Sequence, residues 1–297
     1  MSSKVQLDEM IQKAPKGRSL FQNAVSRLLA NKAAVGAMIV LFTLICLAVF
    51  GPHLRPYEID EVFWDAFQAP PGIESGHWFG TDANGRDLFV RTMYGMRISL
   101  LVGLCATMVS LLIGVTYGAI AGYSGGRTDN IMMRIVDVLY SMPFMFFVIL
   151  LMVFFGRNIY LMFAAIGAIE WLTMARIVRG QAMSLRHKEF VTAAQALGVS
   201  GGNIVRRHIV PNTLGTVMVY VTLTIPVVIL TESFLSFLGL GVQEPMTSLG
   251  VLISEGAKQM ESSPWMLVFP ATFLAVMLFC FNYIGDGLRD AFDPKDR

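Results

Sequence analysis

The sequence predicts an all-α, polytopic membrane protein with six transmembrane helices. Hydrophobic residues make up 55% of its 297 residues and charged residues only 15%, a composition too apolar for a soluble globular domain. The apolar residues lie in runs long enough to cross a bilayer as helices, and polar segments separate these runs. Most of the 23 Lys and Arg residues fall in alternate polar segments, which selects one orientation under the positive-inside rule.

Residues 1–32 predict an amphipathic segment ahead of the first span. The segment carries six Lys and Arg residues, and its apolar residues fall on one face of a helix. That face comprises Leu20, Phe21, Ala24, Val25, Leu28 and Leu29. A basic amphipathic helix is typical of segments that lie on the lipid surface, and we expect this one on the cytoplasmic side.

The first transmembrane helix is predicted at 33–50, and a polar external loop follows at 51–97. Five further spans are predicted within the core at 98–284. Their bounds are 98–123, 135–155, 159–178, 213–238 and 265–284. The positive-inside rule places both termini and the polar segment 179–212 in the cytoplasm.

Glycines refine the prediction for two of the spans. In the second span Gly114, Gly118 and Gly122 recur at intervals of four, which predicts a small-residue face for close helix packing. After the last span, the run GDG predicts the end of the helix and the start of a polar cytoplasmic tail at 285–297.

The segment HKEFVTAAQALGVSGGNIVRRHIVPN, at 187–212, is the longest polar interruption in the second half of the chain. Within it Phe190, Ala193, Ala194 and Leu197 fall at i, i+3, i+4 and i+7, on one narrow face of a helix. The next residue, a glycine, predicts a left-handed helix cap, and the proline near the end of the segment predicts a break before the fifth span. A small-faced helix between two spans suits close docking of another protein, with an ordinary cytoplasmic loop as the alternative.

Two carboxylates, Glu170 and Glu232, lie inside predicted spans. An ionisable group at membrane depth is costly and usually faces a cavity or a partner. Both are therefore candidates for lining a transport pathway, where a carboxylate would meet a substrate ammonium group. The alternative is a role in helix packing, for example an ion pair between Glu170 and Arg176.

The sequence predicts no catalytic residue and no resident cofactor. No stretch matches the GxxxxGK[ST] phosphate loop, so we do not expect this chain to bind or hydrolyse ATP. The three cysteines and four histidines show neither paired nor ligand spacing, so we expect no metal site. We expect no nucleic-acid partner either.

The pair Ala193 and Ala194, then Gly198, then Pro211 resembles the EAA loop of ABC-importer permeases, whose short helix docks into a groove on the ATPase subunit. Thr192 stands where that motif usually carries its glutamate. The carboxylate nearest to that position is one turn earlier. The resemblance implies that the docking surface comprises Glu189, Phe190, Thr192, Ala193, Ala194, Leu197, Gly198 and Pro211.

Three further blocks resemble permeases of the dipeptide and oligopeptide family. They are FGTDxxGRD followed by YGxRxSL within 77–100, SFLGLGVQEPMTSLG at 236–250, and NYIGDGLRDAFD at 282–293. The resemblance covers 18–297 and is greatest to the C-type permease subunits of bacterial oligopeptide importers. Dipeptide, nickel and glutathione permeases are the alternatives within the family.

This resemblance implies a type I ABC-importer permease architecture and transport of oligopeptides across the bacterial cytoplasmic (inner) membrane. It also implies a second, B-type permease, two ATPase subunits that hold ATP and Mg²⁺, and an external peptide-binding protein. The chain itself would then be no enzyme. An ion-coupled secondary carrier is the alternative from another class, and a stand-alone membrane enzyme is a third.

Overall fold

The computed structural model describes residues 20–73, 75–156 and 158–292, and of residues 20 and 21 only the backbone. The predicted amphipathic segment up to residue 19 and the tail from residue 293 lie outside the described residues. The helices are α1 (Leu20–Ala30), α2 (Lys32–Phe50), α3 (Leu88–Ser124), α4 (Gly126–Ser141), α5 (Phe144–Phe155), α6 (Ile159–Arg186), α7 (Glu189–Ala196), α8 (Gly201–Ile204), α9 (Val210–Phe237), α10 (Leu249–Lys258) and α11 (Trp265–Phe292).

Five helical runs are long and apolar enough to cross a membrane: α2, α3, α6, α9 together with α8, and α11. The sixth span is the pair α4 and α5, whose axes are bent by 77° relative to each other. The bend lies at Pro143, the N-cap of α5, because a proline excludes the preceding residue from helical conformation; Met142 is extended. The predicted all-α polytopic fold with six spans is confirmed, with the third span divided into two helices.

The second span begins at Leu88, not at residue 98 as predicted. The side chain of Asp87 caps the helix, because its Oδ1 accepts the backbone N–H of Val90 at 2.9 Å. The prediction placed 88–97 in the loop because Arg91 and Arg97 interrupt the apolar pattern. The loop between the first two spans is therefore 51–87.

The predicted small-residue face of α3 is confirmed, and it packs against α6. A Cβ at Gly114 would lie 2.6 Å from Cβ of Met174, and one at Gly122 would lie 2.5 Å from the backbone oxygen of Arg179. A Cβ at Gly118 would overlap a backbone oxygen of α6. These two helices thus approach backbone to backbone along three turns, as small residues permit inside membranes.

The last helix does not end at residue 284. It continues to Phe292, so the prediction of a helix end at the GDG run is wrong. The glycines there serve packing: a Cβ at Gly285 would lie 2.6 Å from Leu223 of α9, and a Cβ at Gly287 would lie 2.6 Å from Ala34 of α2. A glycine that permits close approach and a glycine that ends a helix look alike in sequence.

The short helix α10 was not predicted. Ser248 caps it by accepting the N–H of Val251 at 3.2 Å, and its buried Leu252 packs with Leu88 and Met266. This places α10 among α3, α9 and α11. The sequence predicts no helix between the spans at 213–238 and 265–284.

The bundle has two distinct ends. At one end Arg186 donates to the backbone oxygen of Ser124 at 3.2 Å, and Gly287 lies against α1 and α2. At the other end Trp265 donates to the backbone oxygen of Thr81 at 3.4 Å. We call these the α7 end and the loop end. Both ends of the described chain, α1 and the last turn of α11, lie at the α7 end.

Candidate functional site

Helix α7 presents a largely exposed surface at the α7 end. Phe190 is 41% exposed and Leu197 is 83% exposed, and Ala193 beside them is exposed as well. These three residues form the outward apolar face. Adjacent exposed apolar residues that are rimmed by polar ones are a feature of protein interaction sites.

Ala194 does not share that outward face. It is 6% exposed and packs inward with Val191, against Ile204 and Ile209. The prediction of Ala194 on the exposed face is therefore corrected. The two-turn helix has apolar residues on both faces, so its sequence alone does not show which face packs against the rest of the chain.

Two polar members of the predicted surface, Glu189 and Thr192, are exposed beside the apolar face. The Thr192 hydroxyl donates to the backbone oxygen of Lys188 at 3.4 Å, one turn earlier. Arg206 and Arg207 are exposed on the following helical turn, so basic side chains border the surface. The surface is thus apolar at its centre and charged at its rim.

Gly198 ends α7 in the left-handed conformation that the sequence predicted, with φ of +76°. Its N–H donates to the backbone oxygen of Gln195 at 2.9 Å, and the N–H of Val199 donates to that of Ala194 at 3.1 Å. This pair of hydrogen bonds defines a Schellman motif, in which a residue without a side chain is favoured. The motif fixes the end of α7 directly after the exposed Leu197.

Pro211 does not break the chain before the fifth span, which corrects the prediction. The helical path runs without interruption through 201–237. A single π-helical turn, Val205–Ile209, precedes the proline, and the N–H of Val210 donates to the oxygen of Val205. Because Pro211 has no N–H and its ring would crowd the preceding turn, the wider turn accommodates it within a continuous helix.

Helix α7 is attached to the ends of the two most closely packed spans. The Gln195 side chain donates to the Tyr123 hydroxyl of α3 at 3.3 Å, and Tyr123 also lies against Gly201. Nearby, Arg179 of α6 binds both carboxylate oxygens of Asp129 at 2.5 and 2.6 Å. A displacement of α7 would therefore act on α3 through the Gln195–Tyr123 hydrogen bond and on α6 through the two-residue connection at 187–188.

Glu170 is half-buried on α6. The ion pair with Arg176 weighed from the sequence does not form, because Arg176 donates to Asp137 at 2.9 Å and stacks over the Tyr140 ring at 4.2 Å. Within the described part of the chain, the Glu170 carboxylate has neither a hydrogen bond nor an ion pair.

Glu232 is fully buried and its carboxylate is enclosed by hydroxyl groups. It accepts hydrogen bonds from Ser99 of α3 at 3.3 Å, from Ser236 of α9 at 2.7 Å and from Ser248, the cap of α10, at 2.6 Å. In this conformation Glu232 lines no pathway, which corrects that candidacy. This arrangement corresponds to the alternative role in helix packing, because the Glu232 carboxylate links α3, α9 and the N-terminus of α10.

We expect Glu232→Leu to destabilise the folded protein strongly and Glu232→Gln to do so much less. Leucine removes the acceptor of three buried hydroxyl groups, and each buried polar group left unsatisfied costs about 1–3 kcal/mol. Glutamine retains one acceptor oxygen. The measurement is the midpoint of thermal unfolding of the purified protein in detergent. Glu261→Leu, at an exposed position, is the control, and equal midpoints for the Leu and Gln variants at 232 would contradict the prediction.

The loop end contains a charge network that the sequence did not reveal. Arg86 donates to Asp82 at 2.8 Å and to Glu244 at 2.8 Å. Arg91, 1% exposed, lies 3.2 Å from Asp82 and donates to Glu255 at 3.3 Å. The Arg86 guanidinium lowers the pKa of the Glu244 carboxyl below its ordinary value. These pairs join the 51–87 loop directly to the turn after α9 and, through Arg91 of α3, to α10.

The described chain forms an all-helical bundle of apolar spans with one short, exposed helix at one end, the architecture of a multi-pass membrane protein. The chain belongs to the family of binding-protein-dependent transport system inner membrane components, whose family model matches residues 114–297. A second model, for the N-terminal transmembrane domain of oligopeptide transport permease C, matches residues 19–71. The chain is thus a multi-pass membrane protein of a transport family.

The similar proteins narrow the class further. The chain is 58% identical over 281 residues to "Oligopeptide transport system permease protein OppC" of Haemophilus influenzae, covering 95% of this chain and 90% of that protein. It is 57% identical to the protein of the same name in Escherichia coli K12, with 95% and 93% covered. It is 46% identical to "Dipeptide transport system permease protein DppC" of Bacillus subtilis, with 94% and 87% covered. The predicted resemblance to C-type oligopeptide permeases is confirmed.

Proposed function

We propose that this chain is the C-type permease subunit of an ATP-driven importer that moves oligopeptides across the bacterial cytoplasmic membrane. The observation that carries the proposal is the exposed α7, with Leu197 at its tip and a Schellman motif behind it, in a chain of the binding-protein-dependent transport family. The names of the relatives support oligopeptides as the substrate class. They do not favour a nickel or glutathione permease or an ion-coupled carrier.

The proposed assembly contains a second, B-type permease, two ATPase subunits and an external peptide-binding protein, within membrane lipid. ATP and Mg²⁺ would bind in the ATPase subunits, and this chain would perform no catalysis. The polar rim and apolar centre of α7 suit a protein groove better than lipid or water. The two-turn length of α7 limits the contact to a small pocket on one ATPase subunit.

In the proposed docking, Phe190 and Leu197 insert into the ATPase groove, and Ala193 between them permits close approach. Glu189 and Thr192 contact the rim of the groove. Ala194 supports the helix from beneath, and Gly198 and Pro211 shape the two ends of the loop. With threonine in place of the glutamate of the EAA motif, position 192 contributes a hydroxyl to the docking surface in place of a charge.

We place the α7 end in the cytoplasm. Both ends of the described chain lie there, and the density of Lys and Arg in the sequence around α7 supports that side under the positive-inside rule. ATP-driven closure of the ATPase subunits would displace α7, and its bond from Gln195 to Tyr123 would transmit the displacement to α3. Glu170, half-buried on α6 and without a partner in the described chain, is the carboxylate we propose to line the pathway.

The test is a pull-down of the tagged protein from detergent, with identification of the chains that co-purify. We expect a second permease and two ATPase polypeptides in stoichiometric amounts. A homo-oligomer without an ATPase would overturn the proposal, and ion coupling through Glu170 would then be the first hypothesis to examine.

A further inference from the structure

Two cavities at the loop end meet at α10. One, of about 150 Å³, lies between α10 and the turn at 82–86. The other, of about 290 Å³, lies between α10 and the turn that follows α9. Glu255 and Lys258 line both cavities. Since these residues are three apart on a helix, they lie on one face, and that face forms the ridge between the cavities.

Both charged groups on this ridge have unused binding capacity. The Glu255 side chain is 31% exposed, and among the described residues only Arg91 donates to it, to Oε2 at 3.3 Å. Burial raises the pKa of Glu255 above its ordinary value, and the Arg91 guanidinium offsets this effect only in part. Lys258 is exposed and forms no ion pair with any residue that the structure describes. The negative charge of Glu255 is therefore incompletely compensated within the chain.

The remaining polar lining suits a peptide main chain. Asn84 and Gln259 line the smaller cavity, and side-chain amides both donate and accept hydrogen bonds. Asp82 and Arg86, which also line it, are already paired with each other at 2.8 Å. A single free carboxylate oxygen is a poor site for a divalent metal, which prefers several oxygen ligands. It is a suitable acceptor for an ammonium group.

We propose that Glu255 and Lys258 form a recognition site for the amino-terminal end of a peptide. The free oxygen of Glu255 accepts hydrogen bonds from the α-ammonium group, and Lys258 donates to the first main-chain carbonyl groups. The site rests on the proposed function, since it assigns a substrate contact to the importer. It lies at the end of the bundle opposite α7, where a peptide would arrive from the external binding protein.

The test uses the complete importer in proteoliposomes, with its ATPases and binding protein, and one peptide in a free and an N-acetylated form. We expect Glu255→Gln to lower uptake of the free peptide about tenfold, which corresponds to the loss of about 1.4 kcal/mol when a charge-assisted hydrogen bond becomes a neutral one. Uptake of the acetylated peptide should change less than about twofold, because it has no ammonium group. Glutamine retains an acceptor for Arg91, and the same binding protein serves every variant, so its own selectivity cancels.

Two further variants complete the experiment. Lys258→Met should lower uptake of both peptides to the same extent, because both present the main-chain carbonyl groups; no change would remove Lys258 from the site. Glu261→Gln alters an exposed carboxylate that lines neither cavity and should leave the ratio of the two uptakes unchanged. Equal losses for free and acetylated peptide in Glu255→Gln would overturn the site and leave the proposed function standing. A wild-type complex that takes up neither peptide would overturn the proposed function, and the site with it.

Discussion

Gly118→Leu is expected to destabilise the membrane bundle strongly. A Cβ at this position overlaps the backbone oxygen of Ala175 and lies 3.0 Å from the backbone nitrogen of Arg179 and from Cβ of Val178. Two of these three atoms belong to the backbone of α6 and cannot rotate away. Accommodating a leucine therefore requires α3 and α6 to separate, and we expect a cost of about 3 kcal/mol or more.

Gly180→Leu is the matched control for this substitution. Gly180 lies on α6 near the same helix contact, is exposed, and a Cβ there meets no atom within 4 Å. Both variants add the same apolar volume to a membrane helix. The measurement is the yield of monodisperse protein in detergent and its thermal midpoint. If the Gly118 variant matched the Gly180 variant, the two helices would have to lie farther apart than the structure places them.

The consequence for function is that α3 and α6 act as one rigid unit. Their contact follows Gly114, Gly118 and Gly122 and ends beside Tyr123, which accepts the hydrogen bond from Gln195 of α7. A force on α7 thus reaches a pair of spans whose backbones are in contact, with little soft side-chain packing between them. Close packing of this kind transmits displacement because there is no free volume to absorb it.

The features of the sequence that predicted this fold are local ones. Apolar runs identified the spans, the four-residue glycine period identified the α3 face, and Gly198 identified its own cap. Each can be recognised within one continuous stretch of the sequence. Local patterns gave the wrong start for α3, because charged residues follow Leu88 within its first turns. They also gave the wrong end for α11, because Gly285 permits close packing and does not end the helix.

The polar centres of the fold could not be predicted because their partners are distant in sequence. Arg86 and Glu244 are 158 positions apart, and Arg91 and Glu255 are 164 apart. Glu232 finds its hydroxyl donors on three different elements. For α7, the sequence predicted the position of the exposed helix but not that the Ala194 side chain is buried. Tertiary packing decides which face of a short helix is buried.

Gly198→Val is expected to release the ATPase subunits while leaving membrane insertion intact. The residue has φ of +76°, where a β-branched side chain is strongly disfavoured, although a Cβ would meet no atom within 4 Å. The cost is therefore backbone strain, about 1–3 kcal/mol. Helix α7 has eight residues, of which only Val191 and Ala194 are buried. Because so little packing holds the helix, we expect its last turn to unwind and relieve the strain.

Unwinding would displace Leu197, the exposed residue directly before the cap, from the docking face. The measurement is the amount of ATPase that co-purifies with the tagged permease at equal membrane expression. Two controls separate strain from bulk. Gly202→Val adds the same side chain at an open position of ordinary φ and should retain the ATPases. Gly198→Asn should retain them largely, because asparagine tolerates the left-handed conformation.

This set of variants discriminates between docking through α7 and docking through any other cytoplasmic surface. If Gly198→Val bound the ATPases normally, the geometry of the α7 cap would not matter to the complex, and the docking assignment would be wrong. If Gly198→Val and Gly202→Val both lost them, bulk near the loop would be the cause and the Schellman motif irrelevant. The docking assignment is supported if Gly198→Val loses the ATPase subunits while Gly202→Val and Gly198→Asn keep them. That result would mean that the left-handed end of α7 holds Leu197 in place for the ATPase.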